Sequence, residues 1–288
     1  MTMDTPSRRG RSVVHMTSAH PWNDTRIFYK ECQSLAAAGY EVTLIAPGGE
    51  PGLYDGVRVV PVGKGSGRIG RAMGAITRVG RAAWRTKADV YHFHDPELLP
   101  VGIVLALLRR KVIYDAHEWI LGSIKTREYL PRPLRLPIAF AVHALERVFH
   151  RVGTHVIAAT PFIAEQLSGK CSVVHNYPEF VVVDRASPET KRARQSCYVG
   201  GVNVERCGAV LLDALAIVAA EVDDATSVVA GPVDPVFADR SITGVAFLGT
   251  VPRSIVDSIM RDSAVGIVLL ADLPNHADAM PTKFFEYL

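Results

Sequence analysis

The sequence predicts an α/β protein with two doubly wound, Rossmann-like domains, of which the second is incomplete. Short β-rich runs alternate with longer helical patterns, and this alternation indicates parallel βαβ units. The strand candidates are apolar at most positions, as expected when both faces of a sheet are covered. A polar, charged stretch breaks the alternation once, after which it starts again. We therefore predict a disordered basic tail (residues 1–11), an N-terminal domain (12–180), a linker (181–194) and a partial C-terminal domain (195–288).

The composition is that of an ordinary soluble globular protein. The chain has 288 residues, 48% hydrophobic and 21% charged, and its net charge of +3 predicts no nucleic acid partner. Its four cysteines include no C-x-x-C pair, so neither a disulfide scaffold nor a structural zinc site is predicted, and a reducing compartment fits. No segment is typical of an export signal or a membrane span. We expect a cytoplasmic protein, with peripheral contact at the inner face of the membrane at most.

The N-terminal domain begins with a strand and a capped helix. The helix is predicted from about Thr25 to Ala38, because Asp24 can accept a hydrogen bond from a free backbone N–H and Gly39 ends the pattern. Strands are predicted at Ser12–Thr17, Glu41–Ala46, Val57–Val62, Asp89–His94, Lys111–Asp115, Thr154–Ala158 and Ser172–His175. Further helices are predicted at Ile69–Arg85, Glu97–Arg109, Leu134–Arg151 (after a long loop) and Pro161–Leu167.

The C-terminal domain repeats the alternation over fewer elements. Strands are predicted at Ser196–Gly200, Ser227–Ala230, Gly244–Leu248 and Ala264–Leu270, and helices at Gly208–Glu221 and Arg253–Asp262. A last helix starts near Thr282, and the sequence stops six residues later. We therefore expect this domain to be truncated.

A literal dinucleotide fingerprint, G-x-G-x-x-G, occurs once, at Gly65, Gly67 and Gly70. It follows the third predicted strand, whereas the fingerprint belongs on the first βα turn, and Asp89 begins a strand where an acid should end one. We interpret the segment as a loop without a dinucleotide.

An anion site is predicted at the first βα turn. Thr25 and Arg26 lie at a helix start beyond a strand's carboxyl end, where free N–H groups and the helix dipole favour an anion. The guanidinium of Arg26 adds a fork of donors suited to phosphate or carboxylate. In the alternative interpretation, Asp24 is only a cap and Arg26 pairs with a surface acid.

Two later strands end in histidines and acids. His92 and His94 share a strand face and could be paired metal ligands, but no third ligand of suitable spacing is evident, so no metal site is predicted. Hydrogen-bonding roles at the strand tip are favoured for His94 and Asp95. The next strand leads to His117 and Glu118, and the clustering indicates a polar cleft. Alternatively, these side chains satisfy backbone groups of the loops.

The C-terminal domain opens with a strand, a glycine-rich turn and a helix start. Backbone N–H groups around Gly200 and Gly201, together with the cation Arg206, suit a diphosphate.

An acid pair lies near the end of the sequence. Asp278 and Glu286 are eight residues apart with Lys283 between them, and a carboxylate such as Glu286 can hold two vicinal ribose hydroxyls. The sequence contains no D-x-D triple, so cations and helix termini would have to balance a diphosphate.

Taken together, these motifs resemble the family 4 glycosyltransferases, retaining enzymes with the GT-B fold. The resemblance covers residues 12–288 and is carried by HMTSAHPWNDTRIFYKE, DVYHFHDPELLP, VIYDAHE, VVHNYPE, YVGGVNVER and PTKFFEYL. It implies two facing Rossmann-like domains, a nucleoside diphosphate sugar as donor, and a saccharide or lipid-linked glycan as acceptor, without a cofactor. Polysaccharide biosynthesis for the cell envelope fits such an enzyme.

The resemblance also implies residue roles. The catalytic residues are His117, Glu118 and Asp278. The donor diphosphate is bound by Gly200, Gly201, Arg206, Lys283, Thr25 and Arg26, and the ribose by Glu286. From their own places beyond the strand ends, Asp24, His94 and Asp95 are predicted to form the acceptor side. In the implied mechanism the leaving diphosphate takes the acceptor's proton on the same face of the sugar, and no metal is needed.

Three positions depart from the family pattern. Gly201 stands where many relatives carry an arginine, Cys207 replaces a glycine and so crowds the phosphate turn, and Asp278 replaces a glutamate. Two other functions remain open at this point: a nucleotide-sugar epimerase of similar architecture, and a truncated binding module without catalysis.

Overall fold

A computed structural model describes residues 10–63, 68–126, 130–167, 169–178, 193–273 and 280–288. The chain forms two compact units, residues 1–176 and 177–288. Only the last two positions of the predicted tail and of the predicted linker are among the described residues. Gly65 and Gly67 of the fingerprint and the acid Asp278 lie outside the described residues.

The first unit is built on one sheet. Its strands are β1 (Ser12–Met16), β2 (Glu41–Pro47), β3 (Gly52–Tyr54), β4 (Val57–Val62), β5 (Val90–Phe93), β6 (Lys111–Ala116), β7 (His155–Ala158) and β8 (Ser172–Val173). Among the described residues, the spatial order is β3–β4–β2–β1–β5–β6–β7–β8, and every pair is parallel except β3 with β4. The seven predicted strands are therefore present, and the predicted parallel, doubly wound class is confirmed.

Helices connect these strands. The first begins as a π-helix (Thr25–Cys32) and continues as α1 (Gln33–Ala37). The others are α2 (Arg68–Arg85), α3 (Leu99–Leu107), α4 (Ile120–Thr126), α5 (Arg132–Val152) and α6 (Pro161–Gln166), with a 3-10 turn at Pro96–Leu98 before α3. In the described part of the chain, no helix combines the length and the apolar character that crossing a membrane requires.

Strand alternation gives the two faces of this sheet different contents. Met16 of β1 and Phe93 of β5 belong to the larger apolar core. Because successive residues of a strand point to opposite faces, His15, His92 and His94 lie on the other face. A second apolar core lies under the π-helix and comprises Ile27, Phe28, Cys32, Val42, Leu44, Ala46, Val57 and Val59. The π-helix therefore covers the face that carries the histidines.

The second unit is a smaller parallel sheet. Its strands are β9 (Ala193–Val199), β10 (Thr226–Ala230), β11 (Val245–Gly249) and β12 (Ser263–Ile267), in the order β11–β10–β9–β12. Its helices are α7 (Gly208–Glu221), α8 (Arg253–Asp262) and α9 (Thr282–Tyr287), and the bounds of α7 and α8 are those predicted. The hydroxyl of Tyr287 accepts a hydrogen bond from the backbone N–H of Val199 at 3.0 Å, which anchors α9 to the sheet.

Two elements of the first unit differ from the prediction. Strand β3 has three residues in a segment rich in glycine and proline, and within the described part of the chain it pairs only with β4. Helix α4 lies within the predicted long loop. Its Ile120 and Ile124 pack with Ala139 of α5 in a separate apolar cluster, so this short helix depends on tertiary packing more than on its own sequence.

Glu146 of α5 should make stability depend on pH. Burial raises the pKa of Glu146 to about 7, from an ordinary value of 4.5. A carboxyl whose pKa is higher in the folded state favours folding while protonated, so this contribution is lost as the pH rises from about 4.5 to about 7. We expect Glu146→Gln to raise the free energy of unfolding by about 1–3 kcal/mol at pH 8 and to change it little at pH 5.

Urea unfolding at the two pH values measures this difference. The control is Glu165→Gln, which alters an exposed glutamate of the same unit and should show no such pH dependence. Equal effects of Glu146→Gln at both pH values would contradict the assignment.

Candidate functional site

A polar cleft lies where three neighbouring central strands of the first unit end. β1, β5 and β6 are adjacent and parallel, so the residues that follow them meet at one edge of the sheet, where doubly wound folds bind ligands. The cleft contains about 530 Å³ of empty space, part of it open to solvent. Its lining includes His20, His94, Asp95, Glu97, His117 and Glu118. The structure thus brings together four residues that the sequence singled out.

Asp95 holds the turn that follows β1. Its Oδ2 accepts hydrogen bonds from Thr17 Oγ1 and from the backbone N–H of Ser18, each at 2.6 Å. Its Oδ1 lies 3.3 Å from His20 Nε2, and the residue is only 2% exposed. These contacts make Asp95 a residue that positions the turn, while its contact with an acceptor stays a prediction.

His20 is a cleft residue that the sequence reasoning missed. Its ring lies between Asp24 and Asp95 and meets His117 edge-on, with the ring centroids 5.2 Å apart. The hydrogen bond to Asp24 raises the pKa of His20. Its place on the turn directly after β1 is the signal that could have identified it.

His117 has an unsatisfied nitrogen within the site. Its Nδ1 is buried and has no hydrogen-bond partner among the described residues, and burial lowers the pKa of its ring. A neutral imidazole with a free ring nitrogen can bind a hydroxyl of a ligand in the cleft. Glu118 beside it is exposed, and its Oε2 accepts a hydrogen bond from Ser123 Oγ at 3.1 Å.

Asp24 caps the π-helix, as predicted. Its Oδ1 accepts hydrogen bonds from the backbone N–H groups of Arg26 and Ile27, both at 2.9 Å. Burial opposes ionisation, yet the hydrogen bonds from His20 and the backbone lower the pKa of Asp24 to about 2. Thr25 is exposed at the first position of the helix. Two of the N–H groups that could hold an anion there are therefore already bound.

Arg26 turns inward and pairs with a buried acid. It is 8% exposed, and its Nε and Nη2 donate to Oδ2 and Oδ1 of Asp115, each at 2.8 Å. Its Nε also lies 3.0 Å from Glu31 Oε1. Arg26 thus pairs with an acid, as in the alternative interpretation of the sequence, but that acid is buried and not at the surface. The guanidinium is occupied in this conformation, and its predicted diphosphate contact stays a prediction.

The π-helix is the reason that Arg26 and Glu31 meet. Backbone N–H groups of Tyr29 and Gln33 bond to the carbonyls of Asp24 and Phe28, five residues earlier. Residues five apart therefore lie on one side of this helix, whereas in an α-helix residues three or four apart do.

Four side chains beside this ion pair could hold a metal ion. His15, Glu31, His92 and His94 each offer one ligand atom, and these atoms lie within 4.8 Å of one another. Burial lowers the pKa of His92 to about 3 and that of His15 well below its ordinary value, so both rings are neutral. Burial raises the pKa of Glu31 to about 7.

In the second unit, the glycine-rich turn after β9 contacts the turn after β10. A Cβ on Gly231 would lie 2.0 Å from the carbonyl oxygen of Gly200, so only glycine allows this close approach. Arg206 ends a 3-10 turn at Val204–Arg206, and it is exposed, with its guanidinium over Gly200. The predicted combination of Gly200, Gly201 and Arg206 is therefore assembled at the carboxyl end of β9.

Lys283 and Glu286 pair with each other on α9. Lys283 Nζ donates to Glu286 Oε2, and Arg253 Nη1 of α8 lies 3.2 Å from the same oxygen. The Glu286 carboxylate is thus held by two cations, and its contact with ribose and that of Lys283 with diphosphate stay predictions.

Comparison with known proteins identifies relatives of both sequence and fold. The family model for the "Glycosyl transferase 4-like domain" matches residues 25–176, more than half of the chain. No curated protein sequence compared with the chain matches it.

Three solved structures illustrate the shared fold. Sucrose-phosphate synthase from Thermosynechococcus elongatus is 15% identical with a TM-score of 0.68, over 96% of this chain and 78% of that one. The catalytic domain of starch synthase IV from Arabidopsis thaliana, bound to ADP and acarbose, is 11% identical with a TM-score of 0.62, over 96% and 81%. The α,α-trehalose-phosphate synthase (UDP-forming) from Burkholderia vietnamiensis is 14% identical with a TM-score of 0.61, over 97% and 81%. The predicted GT-B fold is thereby confirmed.

We expect Asp115→Asn to destabilise the first unit strongly. The substitution removes the charge of the carboxylate that binds both the buried Arg26 and His94, so that Arg26 keeps, among the described residues, only its ion pair with Glu31. Breaking a buried ion pair in this way costs about 3–5 kcal/mol. Urea unfolding measures the loss. Asp55→Asn, at an exposed position of the same unit, is the control and should change stability by less than about 0.5 kcal/mol. If Asp115→Asn lowers the free energy of unfolding by less than about 1 kcal/mol, instead of the expected loss of about 3–5 kcal/mol, the first unit does not depend on this ion pair.

We expect Cys207→Gly to stabilise the second unit. Cys207 has φ 52° and ψ 41°, a left-handed conformation that is costly for any residue with a Cβ. Glycine should raise the free energy of unfolding by about 0.5–1 kcal/mol. Cys207→Ala is the matched control, since it removes the sulfur and keeps the strain. If Cys207→Gly and Cys207→Ala raise the free energy of unfolding equally, backbone strain at position 207 is not the cause of the increase.

Proposed function

The chain belongs to the glycosyl transferase 4-like family, glycosyltransferases that use nucleotide sugars, and we propose that it transfers a sugar with retention of configuration to a saccharide or lipid-linked glycan. The proposed donor is a nucleoside diphosphate sugar. No metal bridges the diphosphate in this proposal.

The observation that carries the proposal is the strand-tip cleft. It lies in the unit that the family match covers. It combines several hydrogen-bonding side chains with a buried nitrogen of His117 that has no partner among the residues described. Sugars present closely spaced hydroxyl groups, and such a cleft can bind them through several directed hydrogen bonds. His117 is proposed to contact the transferred sugar, with Glu118 beside it, and the catalytic role of Asp278, which lies outside the described residues, stays a prediction.

The diphosphate is proposed to bind at the turn after β9. Arg206 is exposed there, beside the backbone of Gly200 and Gly201 and at the start of α7, where a cation and helix N–H groups favour phosphate oxygens. The starch synthase structure is bound to ADP and the trehalose-phosphate synthase is UDP-forming, and both nucleotides are nucleoside diphosphates. Glu286 and Lys283 are proposed to exchange their mutual ion pair for ribose and phosphate.

The reaction then follows from charge and position. The bond between the anomeric carbon and the diphosphate oxygen breaks, and a bond to the acceptor oxygen forms on the same face. The acceptor's proton passes to the departing diphosphate. Arg206 and the backbone dipoles stabilise the negative charge that develops on this leaving group.

A lipid-linked acceptor is supported by the surface of α5. Leu134, Leu136 and Phe140 are at least half exposed, Phe140 by 66%, and Arg132 is exposed beside them. Apolar and basic side chains on one helix are typical of contact with an anionic membrane surface. We propose peripheral contact there, in a cytoplasmic enzyme of envelope polysaccharide biosynthesis.

Replacing Arg206 should impair transfer. Losing one charge-assisted contact to the leaving group corresponds to about 1.5–3 kcal/mol, so Arg206→Ala should lower kcat/KM for the donor by roughly 10–100-fold. The measurement is release of UDP, GDP or ADP from the corresponding glucose donors in the presence of a saccharide panel, with the product identified by mass spectrometry. Arg240→Ala, which removes another exposed arginine of the same unit, paired with Asp213, should leave kcat/KM unchanged.

The same assay separates the alternatives. Acceptor-free conversion of the donor to an epimer and free nucleotide indicates an epimerase. Donor binding without turnover under any combination indicates a binding module. Equal kcat/KM for Arg206→Ala and the parent chain would contradict the proposed diphosphate site.

A further inference from the structure

Three histidines and one glutamate converge on a single buried point in the first unit. Strand register places His15 directly beside His92, and the ring of His94 stacks on that of His92 with the centroids 4.7 Å apart. The π-helix brings Glu31 over this group. The cluster lies on the face of the sheet that the π-helix covers. An inference from its geometry therefore does not rest on the proposed function.

The spacing around Glu31 leaves room for an ion between its carboxylate and the three rings, while His15 Nδ1 and His94 Nε2 share a hydrogen bond at 3.0 Å. Glu31 Oε2 lies 3.8 Å from His15 Nδ1, 3.9 Å from His92 Nδ1 and 3.8 Å from His94 Nε2. These distances are too long for hydrogen bonds. A tetrahedral ion with bonds of about 2.0–2.1 Å separates its ligand atoms by about 3.3 Å. The four atoms lie within 4.8 Å of one another, so a contraction of at most about 1.5 Å would bring them into coordination.

One of the four ligand atoms also lacks a partner. Glu31 Oε2 is buried and has no hydrogen-bond partner among the described residues. His15 is 0% exposed and His92 is 7% exposed. Native proteins rarely leave buried polar atoms without a partner, and a bound ion is one of the few physical explanations.

Outer partners hold two of the four ligands in the orientation that a metal requires. Asp115 Oδ2 lies 3.1 Å from His94 Nδ1, which orients the ring so that Nε2 faces the cluster, where it shares a hydrogen bond with His15 Nδ1. Arg26 occupies Glu31 Oε1 at 3.0 Å, which leaves Oε2 available. A carboxylate behind a ligating histidine is the usual support of a zinc ligand.

We propose that His15, Glu31, His92 and His94 form a closed site for one zinc-class divalent cation. Three imidazole nitrogens and one carboxylate oxygen suit zinc and its neighbours, whereas magnesium and calcium prefer oxygen ligands. All four tetrahedral positions come from the protein, so the site is structural. The ion would tie the π-helix to β1 and β5 beneath the cleft, and no step of sugar transfer passes through it.

Metal binding by the whole chain tests this site. The protein is dialysed against a chelator and then titrated separately with Zn²⁺, Co²⁺ and Mg²⁺. We expect one Zn²⁺ per chain by elemental analysis, a Tm raised by roughly 3–5 °C, and an intense tetrahedral absorption spectrum with Co²⁺. Mg²⁺ should have no effect. The proposal is wrong if the unmodified chain binds less than one Zn²⁺, or if its Co²⁺ complex has a weak, octahedral absorption spectrum. This test needs no variant.

Variants locate the site. Both His92→Gln and Glu31→Gln should weaken Zn²⁺ binding by about 100-fold or more, while His155→Asn, at a histidine that contacts Ser172 outside the cluster, should bind as the parent does. Undiminished binding by folded His92→Gln and Glu31→Gln would place the ion elsewhere and refute the assignment. Sugar transfer is not a readout, so failure of this test and failure of the proposed function are distinguishable.

Discussion

The buried ion pair between Arg26 and Asp115 is the constraint on which the first unit depends. Its two partners come from the π-helix and from β6, far apart in sequence, and both are almost fully buried. Desolvation of such a pair is offset only when the geometry is good and the remaining polar atoms are bound. Glu31 and His94 supply those contacts, and through them the pair fixes the tip of β5 and the floor of the cleft. A deep electrostatic group thus positions a surface site.

The residues at the strand ends could be predicted from the sequence. They come together wherever neighbouring strands are parallel, and the alternation of strands and helices predicts parallel strands. His94, Asp95, His117 and Glu118 follow neighbouring strands and line one cleft. The bounds of α7 follow from the sequence to the residue, because its apolar pattern and its flanking turns are local signals. Conversely, β3 and α4 are set by pairing with β4 and by packing on α5, which no local pattern shows.

The histidine cluster could not be assembled from the sequence for a different reason. His92 and His94 are visible as a pair on one strand face, but the third and fourth partners depend on register and helix geometry. His15 lies in the middle of β1, where a histidine is most simply a core residue. Glu31 reaches the cluster only because of the π-helix, and helical propensity does not distinguish i→i+5 from i→i+4 hydrogen bonding. The sequence likewise does not show that Arg26 turns into the core, because its partner Asp115 is distant in sequence.

The π-helix also affects how sequences should be compared. Arg26 and Glu31 lie on one side of the helix because five residues complete its hydrogen-bonded ring. In an ordinary α-helix the same two side chains would have to be four residues apart. A relative with one residue fewer in this segment could therefore keep the identical arrangement of arginine and acid in space. Equivalent residues in this segment are those on the same side of the helix. An alignment that allows no single-residue gap would therefore pair Glu31 with the wrong residue of such a relative.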